Sequence, residues 1–156
     1  MDIYVINLDR HPQRLAHMTT QLRGLAFHRI TAIDGRDLSG PEHRIPGRHR
    51  AGQLLTRYER ACIASHRIAL DAFLQSGARH ACILEDDLLI SPDFSTFMTD
   101  GDWMQAAWDV VKIETTMKKN LVGTDTIAGR DRHLVSLYSF NAGGAGYVVS
   151  RAGQKN

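Results

Sequence analysis

The chain has few of the features that mark specialised classes of protein. Only two of its 156 residues are cysteines, and Cys62 and Cys82 form no CxxC pattern, which argues against a zinc site. Both lie among apolar residues, so we expect reduced, buried thiols in a cytosolic protein. No apolar run is long enough to span a membrane. Residues 1–6 carry an acid where a signal peptide needs a basic region, so we expect no signal peptide.

The charge balance is also unremarkable. The formal net charge is +2, which is too small to indicate a nucleic-acid partner, and the pI near 8.7 allows only weak attraction to anionic surfaces. The hydrophobic content of 43% is ordinary for a soluble globular protein. A chain of this length suits one domain with a real core, here residues 1–156.

Hydrophobic periodicity and turn signals predict alternating strands and helices. Strands are predicted at residues 3–8, 27–33, 81–90, 108–113, 134–140 and 147–149, and helices from residue 11, at 56–75 and, broken, at 93–107. Residues 37–53 are predicted to form a loop, and Ser150 is predicted to cap a further helix. The pattern predicts an α/β domain with a mainly parallel sheet flanked by helices. Ligands of such sheets bind at the carboxyl ends of the strands.

The acids Glu85, Asp86 and Asp87 interrupt an apolar run that reads as a buried strand. Charge is costly there unless it is paired or bound to a metal. If the segment stays extended, Glu85 and Asp87 share one face and Asp86 points to the other. Two carboxylates on one face suit a hard divalent cation and, through it, a phosphate or diphosphate. The alternative is a solvated strand end or a cap of the next helix.

Basic residues follow the first strand. Arg10 and Arg14 are four residues apart and would share a helix face if the helix starts early, close to Asn7 and Asp9. Arginines at a helix N-terminus hold phosphate well. The alternative is a solvated helix end that pairs with Asp9. The segment 44–50, which contains three arginines and a histidine, could contact an anionic acceptor or membrane headgroups, or form a solvated loop.

Two further residues have open interpretations. His66 falls on the apolar face of the long predicted helix, so it is either an ordinary core histidine or a partner that orients a carboxylate of the acidic cluster. Glu114 follows the strand at 108–113 and is either a general base or a surface acid.

Several short segments resemble the motifs of one known family and occur in the same order along the chain. The segments are residues 4–10 with Arg14-Leu15, residues 32–35, Cys62 with Ser65-His66, residues 84–87 and residues 108–115. Together they resemble glycosyltransferase family 25, which includes bacterial lipooligosaccharide galactosyltransferases and relatives of the collagen galactosyltransferases. The resemblance covers nearly the whole chain.

The resemblance implies a GT-A-like (Rossmann-like) nucleotide-sugar-binding fold and a metal-dependent transfer, commonly of galactose from UDP-galactose. It implies that Glu85 and Asp87 hold Mn²⁺ (or Mg²⁺) against the donor diphosphate. By analogy with inverting transferases, Glu114 would deprotonate the acceptor hydroxyl. The donor nucleotide would lie near Asn7, Arg10, Arg14, Asp34, Gly35, Asp86 and His66.

The sequence departs from the family pattern in places. Arg60-Ala61 stands where the family often has Ile-Gly, and residues 141–147 match loosely. Family members usually continue beyond Ser150, so the chain resembles the first part of a transferase domain, and exposed apolar surface could drive self-association.

We expect a hexosyltransferase of lipopolysaccharide or lipooligosaccharide assembly at the cytoplasmic face of the inner membrane. Its partners would be a UDP-sugar donor, a lipid-linked oligosaccharide acceptor and the membrane surface. One alternative is a non-catalytic nucleotide-sugar-binding or interaction module. Another is a metal-dependent phosphohydrolase, for which the sequence offers no nucleophile motif.

Overall fold

The computed structural model describes residues 1–38, 54–99, 103–104, 108–115, 117–129, 132–139, 141 and 143–152. This part of the chain contains a central sheet, a separate hairpin and helices on both faces of the sheet. The strands are β1 (Asp2–Asn7), β2 (His28–Thr31), β3 (His80–Glu85), β4 (Val110–Lys112), β5 (Val122–Gly129), β6 (Arg132–Leu137) and β7 (Gly146–Ser150). The helices are α1 (Pro12–Gln21), α2 (Arg57–Ser76) and α3 (Phe94–Thr99).

The central sheet has the strand order β2-β1-β3-β7-β4. Strands β2, β1 and β3 are parallel, whereas β7 is antiparallel to both of its neighbours, β3 and β4. All strands of the central sheet except β7 therefore point the same way, and the α/β prediction is confirmed with a mixed rather than purely parallel sheet. Because β7 runs in reverse, its first residues lie at the same edge as the carboxyl ends of the other strands.

The core lies on both faces of the sheet, which explains the near-continuous apolar strands. Along β1, Ile3 and Val5 pack against the α1 side together with Met18 of α1. Tyr4 and Ile6 point to the opposite face and belong to the cluster that contains Phe73 of α2. A strand that is buried on both faces loses the polar alternation of a half-exposed strand. The sheet is thereby fixed between two helical layers.

Helix α2 has well-defined ends. The Thr56 hydroxyl accepts a hydrogen bond from the Glu59 amide, and the Glu59 carboxylate accepts one from the Thr56 amide, which together form a capping box. At the other end Gly77 adopts φ 80°, a left-handed conformation that glycine takes without a steric penalty. The predicted boundaries of this helix are confirmed to within a residue, and the helix is held firmly alongside the sheet.

The later part of the chain differs from the sequence prediction. Residues 134–140 were predicted as a strand, and β6 does lie there, but it pairs with the unpredicted strand β5 in a hairpin outside the central sheet. The prediction that Ser150 caps a helix is wrong, because Ser150 is the last residue of β7 and is buried. The predicted broken helix at 93–107 contains α3, and most of the predicted loop at 37–53 lies outside the described residues.

Among the helices of the described residues, none combines the length and the apolar character that a membrane span requires.

Candidate functional site

A cleft of about 210 Å³ opens at the carboxyl edge of the parallel strands, beside the N-terminal half of α2. Its walls come from the segments that follow β1, β2 and β3 and from one face of α2. The sequence predictions placed these strand ends on one rim, and the structure confirms that they meet. The predicted site residues that line the cleft are Arg10, Arg14, Asp34, Gly35, His66, Glu85, Asp86 and Asp87.

The three consecutive acids turn to different walls of this cleft. Strand β3 ends at Glu85, so Asp86 and Asp87 lie in a turn and the alternation expected for an extended segment does not reach them. Asp86 and Asp87 both accept hydrogen bonds from Nη1 of Arg14, at 3.2 and 3.1 Å. Glu85 instead faces α2. The sequence pattern identified the cluster, but the orientations follow from where the strand ends.

Glu85 is held by two side chains of α2. Its Oε1 lies 3.1 Å from Nε2 of His66 and 3.7 Å from Sγ of Cys62. The hydrogen bond from His66 lowers the pKa of Glu85 and outweighs the opposing effect of burial. The other ring nitrogen of His66 lies 3.1 Å from the Tyr147 hydroxyl. Of the two interpretations of His66, this contact favours the one in which it orients a carboxylate of the acidic cluster.

Asn7 fixes the position of Asp86 from behind the cleft wall. Asn7 is 1% exposed, and its amide nitrogen donates to Asp86 Oδ2 at 2.6 Å and to the carbonyl of His11 at 3.0 Å. Its carbonyl oxygen accepts from Nε of Arg29 at 3.1 Å. All of these polar groups are satisfied, as burial requires. Asn7 thus acts on the cleft through Asp86.

The segment after β2 forms the opposite wall of the cleft. Arg10 forms an ion pair with Asp34, and the amide of Arg36 donates to Asp34 Oδ1 at 2.9 Å. This amide contributes most to lowering the pKa of Asp34, and Arg10 adds to the effect. Arg10 lies in the turn before α1, so it does not share a helix face with Arg14. Asp9 pairs with Arg29. The two arginines of the cleft, Arg10 and Arg14, pair with acids that line the cleft.

Gly35 lies against the first turn of α2. A Cβ atom at this position would lie 2.6 Å from Cδ1 of Tyr58 and 3.0 Å from its Cα. Because the second contact is with backbone, a side chain at residue 35 would displace the whole segment. The glycine therefore allows the cleft wall to approach the helix closely.

Glu114 lies apart from this cleft. It borders a second pocket of about 670 Å³ between β4 and the β5–β6 hairpin. Its side chain is 7% exposed, lies 3.1 Å from Nζ of Lys112, and accepts a hydrogen bond from the amide of Ala145 at 3.1 Å. Gly143 has φ +114°, and a Cβ there would lie 2.9 Å from Glu114 Oε1. The structure brings Glu114 to the glycine-rich segment before β7, and Ala145 of this segment also accepts a hydrogen bond from the Glu85 amide at 2.7 Å through its carbonyl.

Cys62 is a residue of the cleft that the sequence analysis missed. Both cysteines were expected to be buried, and this is confirmed for Cys82 but wrong for Cys62, which is exposed and lines the cleft. Partial desolvation of the thiol and the adjacent Glu85 raise the pKa of Cys62 to about 11. The signal was present in the sequence, because Cys62 and His66 are four residues apart and so share one helix face.

The acids also fit the hard cation that the family resemblance implies. Carboxylate oxygens of Asp86 and Asp87 converge on a single cationic nitrogen of Arg14, so the space between them already holds positive charge. Oxygen donors are the ligands that Mn²⁺ and Mg²⁺ prefer. The Asp87 side chain is 50% exposed, against 10% for Asp86. Asp87 is therefore the more accessible carboxylate of the two.

Comparison with known proteins gives a consistent family match. The family described as "Glycosyltransferase family 25 (LPS biosynthesis protein)" matches residues 1–156, the whole chain. The lacto-N-neotetraose biosynthesis glycosyltransferase LgtE of Neisseria meningitidis serogroup B is 29% identical over 161 residues, which cover 97% of this chain and 57% of that protein.

Two further relatives come from different organisms. The lipooligosaccharide biosynthesis protein lic2B of Haemophilus influenzae is 27% identical, over 97% of this chain and 60% of that protein. A glycosyltransferase 25 family member of Aedes aegypti is also 27% identical, over 98% of this chain and 27% of that protein. This chain therefore spans less than two thirds of the length of these curated relatives.

Proposed function

This chain belongs to glycosyltransferase family 25, and we propose that it transfers a hexose from a UDP-sugar to a saccharide acceptor during lipopolysaccharide or lipooligosaccharide biosynthesis. Galactose is the first sugar to test. The observation that carries the proposal is the cleft in which Arg10, Arg14 and the acids after β3 meet at the carboxyl edge of the sheet. Opposite charges in one cleft suit a diphosphate held by arginines and by a metal ion.

In this proposal the fold is GT-A-like and the donor lies in the cleft with its diphosphate beside the acids. Asp87 would hold Mn²⁺ or Mg²⁺ together with Asp86, because both carboxylates converge on Arg14, and not with Glu85, which faces α2. The ion would neutralise the charge that develops on the leaving UDP. Asn7 keeps Asp86 in place, and His66 keeps Glu85 in place, so the acids are positioned before the donor arrives. Such pre-positioning reduces the free-energy cost of ordering the site on binding.

The ion pairs of Arg10 and Arg14 indicate how these two arginines would contact the donor. Arg14 pairs with Asp86 and Asp87, and Arg10 pairs with Asp34. When an ion binds the acids, Arg14 would lose its attraction to Asp87 and turn toward the donor diphosphate. Asp34 and Gly35, on the opposite wall, would contact the nucleoside.

Glu114 is the proposed base that deprotonates the acceptor hydroxyl, and its position restricts how the acceptor can reach it. Because its carboxylate is mostly buried and contacts Lys112 and the Ala145 amide, the acceptor hydroxyl would have to enter through the second pocket. A lipid-linked oligosaccharide at the cytoplasmic face of the inner membrane is the proposed acceptor.

A transfer assay tests this function. The chain is incubated with UDP-galactose, Mn²⁺ and a panel of oligosaccharide acceptors, and the products are identified by mass spectrometry. We expect one hexose to be added to an acceptor with release of one UDP, and we expect Asp87→Asn and EDTA each to abolish this product.

Other outcomes would identify the alternatives. Phosphate release without any need for an acceptor would indicate a phosphohydrolase. Donor binding without turnover on any acceptor would indicate a non-catalytic nucleotide-sugar-binding module.

A further inference from the structure

One wall of the cleft combines a thiol, an imidazole and a carboxylate, and so differs in chemistry from the wall that contains Asp86 and Asp87. Cys62 and His66 lie one turn apart on α2 and face Glu85 at the end of β3. Their donor atoms Sγ, Nε2 and Oε1 all lie within 4.8 Å of one another. The three therefore form a compact sulfur, nitrogen and oxygen donor set that two rigid elements hold in place.

The two donor separations from Glu85 are close to those of a tetrahedral metal site. Zinc bonds of about 2.0–2.3 Å at tetrahedral angles place neighbouring donor atoms about 3.3–3.8 Å apart. The observed separations from Glu85 Oε1 are 3.1 Å to His66 Nε2 and 3.7 Å to Cys62 Sγ. The third separation, from Cys62 Sγ to His66 Nε2, is at most 4.8 Å, so side-chain movement can bring all three donors onto one ion.

We propose that Cys62, His66 and Glu85 bind Zn²⁺ or another thiophilic divalent cation, with the fourth coordination position open to the cleft. Sulfur and imidazole donors favour zinc over manganese and magnesium, which prefer oxygen ligands. Three protein ligands with an open fourth position are typical of zinc sites that accept water or a small ligand. On coordination the thiol of Cys62 releases its proton to solvent.

Tyr147 supplies the outer hydrogen bond that such a site needs. A metal-bound histidine usually donates its remaining ring N–H to a fixed acceptor, which sets the tautomer and the ring orientation. The Tyr147 hydroxyl lies 3.1 Å from Nδ1 of His66, and the two rings stack with centroids 5.7 Å apart. A hydroxyl can accept this hydrogen bond when Nε2 coordinates a metal ion. His66 is therefore already oriented for coordination.

This site does not depend on the proposed transferase function, because the carboxylates proposed to hold the hard cation, Asp86 and Asp87, contact Arg14 whereas Glu85 contacts His66. Zinc binding can therefore be measured without any donor or acceptor.

Cobalt substitution tests the proposal directly. The chain, reduced and freed of metals, is titrated with Co²⁺ and then with Zn²⁺ while its absorption spectrum is recorded. We expect the near-ultraviolet charge-transfer band of a cobalt–thiolate bond and its loss when zinc displaces cobalt. Cys62→Ser and His66→Ala should lack the band, and Tyr147→Phe should weaken metal binding by about 10- to 100-fold.

The chain offers matched controls for both ligand types. Cys82→Ala removes the buried thiol, and His17→Gln removes an exposed histidine of α1, so both should keep the band. Circular dichroism checks that every variant is folded. A folded wild-type chain without the band at saturating Co²⁺, or an undiminished band in Cys62→Ser, would overturn the proposal.

Discussion

At the scale of single residues, the cleft depends on buried polar side chains whose partners lie far away in the sequence. Asn7 is the clearest case, because its amide connects Asp86, the carbonyl of His11 and Arg29 while remaining 1% exposed. Such a residue stabilises the fold only while every partner is present, since a buried group without a partner pays its full desolvation cost.

Asn7→Ala should therefore destabilise the chain by about 1–3 kcal/mol, because it leaves Asp86 and Arg29 without their buried partner. Chemical denaturation measures the free energy of unfolding. Thr19→Ala is the control, because it removes an exposed hydrogen bond within α1 and should change stability by less than about 0.5 kcal/mol. Equal stabilities of the two variants would contradict this account of Asn7.

Glu85 provides a prediction about pH. Its folded pKa lies below the ordinary value of 4.5 because His66 donates to it, so it contributes stability above pH 4.5 that is lost as the pH falls through the folded pKa. In His66→Phe the donor is gone while burial remains, and the pKa of Glu85 should rise. A ¹³C NMR titration of the Glu85 carboxyl in EDTA measures both values.

The matching stability measurement has a defined direction. At neutral pH the wild type should have a larger free energy of unfolding than His66→Phe because of Glu85. This difference should shrink as the solution is acidified through the folded pKa of Glu85. An identical Glu85 pKa in the two proteins would contradict the role given to His66.

The sequence could predict most of the charged residues that line the cleft but not which partners they take. Arg10, Arg14 and the acids follow strands, and carboxyl ends of parallel strands meet at one edge. Their pairing depends on the residue at which each strand ends, and β3 ends two residues too early for Glu85 and Asp87 to alternate as expected. The contact of Cys62 with Glu85 also depends on the docking of α2, which no local pattern fixes.

At the scale of elements, the close approach of the segment after β2 to α2 shapes the cleft. Ser65 secures this approach, since its hydroxyl accepts from the Ile33 amide at 2.8 Å and donates to the Ala61 carbonyl. Gly35 permits it by leaving room for Tyr58.

Gly35→Ala should push the cleft wall away from α2 and weaken UDP binding by about tenfold, equivalent to about 1.4 kcal/mol. Overpacking of this kind also costs about 1–3 kcal/mol of stability. Calorimetry and thermal unfolding measure the two effects. Gly144→Ala is the matched control, because nothing lies within 4 Å of a Cβ at that position. Wild-type behaviour of Gly35→Ala in both measurements would contradict this account.

The elements themselves were predictable where their signals are local. The apolar periodicity and the stop at Ser76-Gly77 identified α2, and the apolar run before Glu85 identified β3. The insertion of β7 between β3 and β4 was not predictable, because it pairs segments that are distant in the sequence. The hairpin strand β5 was missed for a different reason, since its sequence VGTDTIAG has little apolar character and it pairs with β6 outside the central sheet.

At the scale of the whole molecule, the described sheet assembles a charged cleft from three strand ends and one helix, although the chain spans only 57% of the length of LgtE. The acceptor side is less defined, because Glu114 lies at a second pocket. The proposal to test first therefore concerns the donor: we propose that the cleft binds a UDP-sugar through a metal ion at the acids.

Calorimetric titration of UDP and UDP-galactose, with Mn²⁺ and then with EDTA, tests this claim most directly. Asp71→Asn is the matched control, because it removes an exposed carboxylate from α2 away from the cleft residues. We predict Mn²⁺-dependent binding by the wild type and Asp71→Asn, and at least about tenfold weaker binding by Asp87→Asn. A folded wild-type chain that binds neither nucleotide with Mn²⁺, or binds both equally well in EDTA, would contradict the claim.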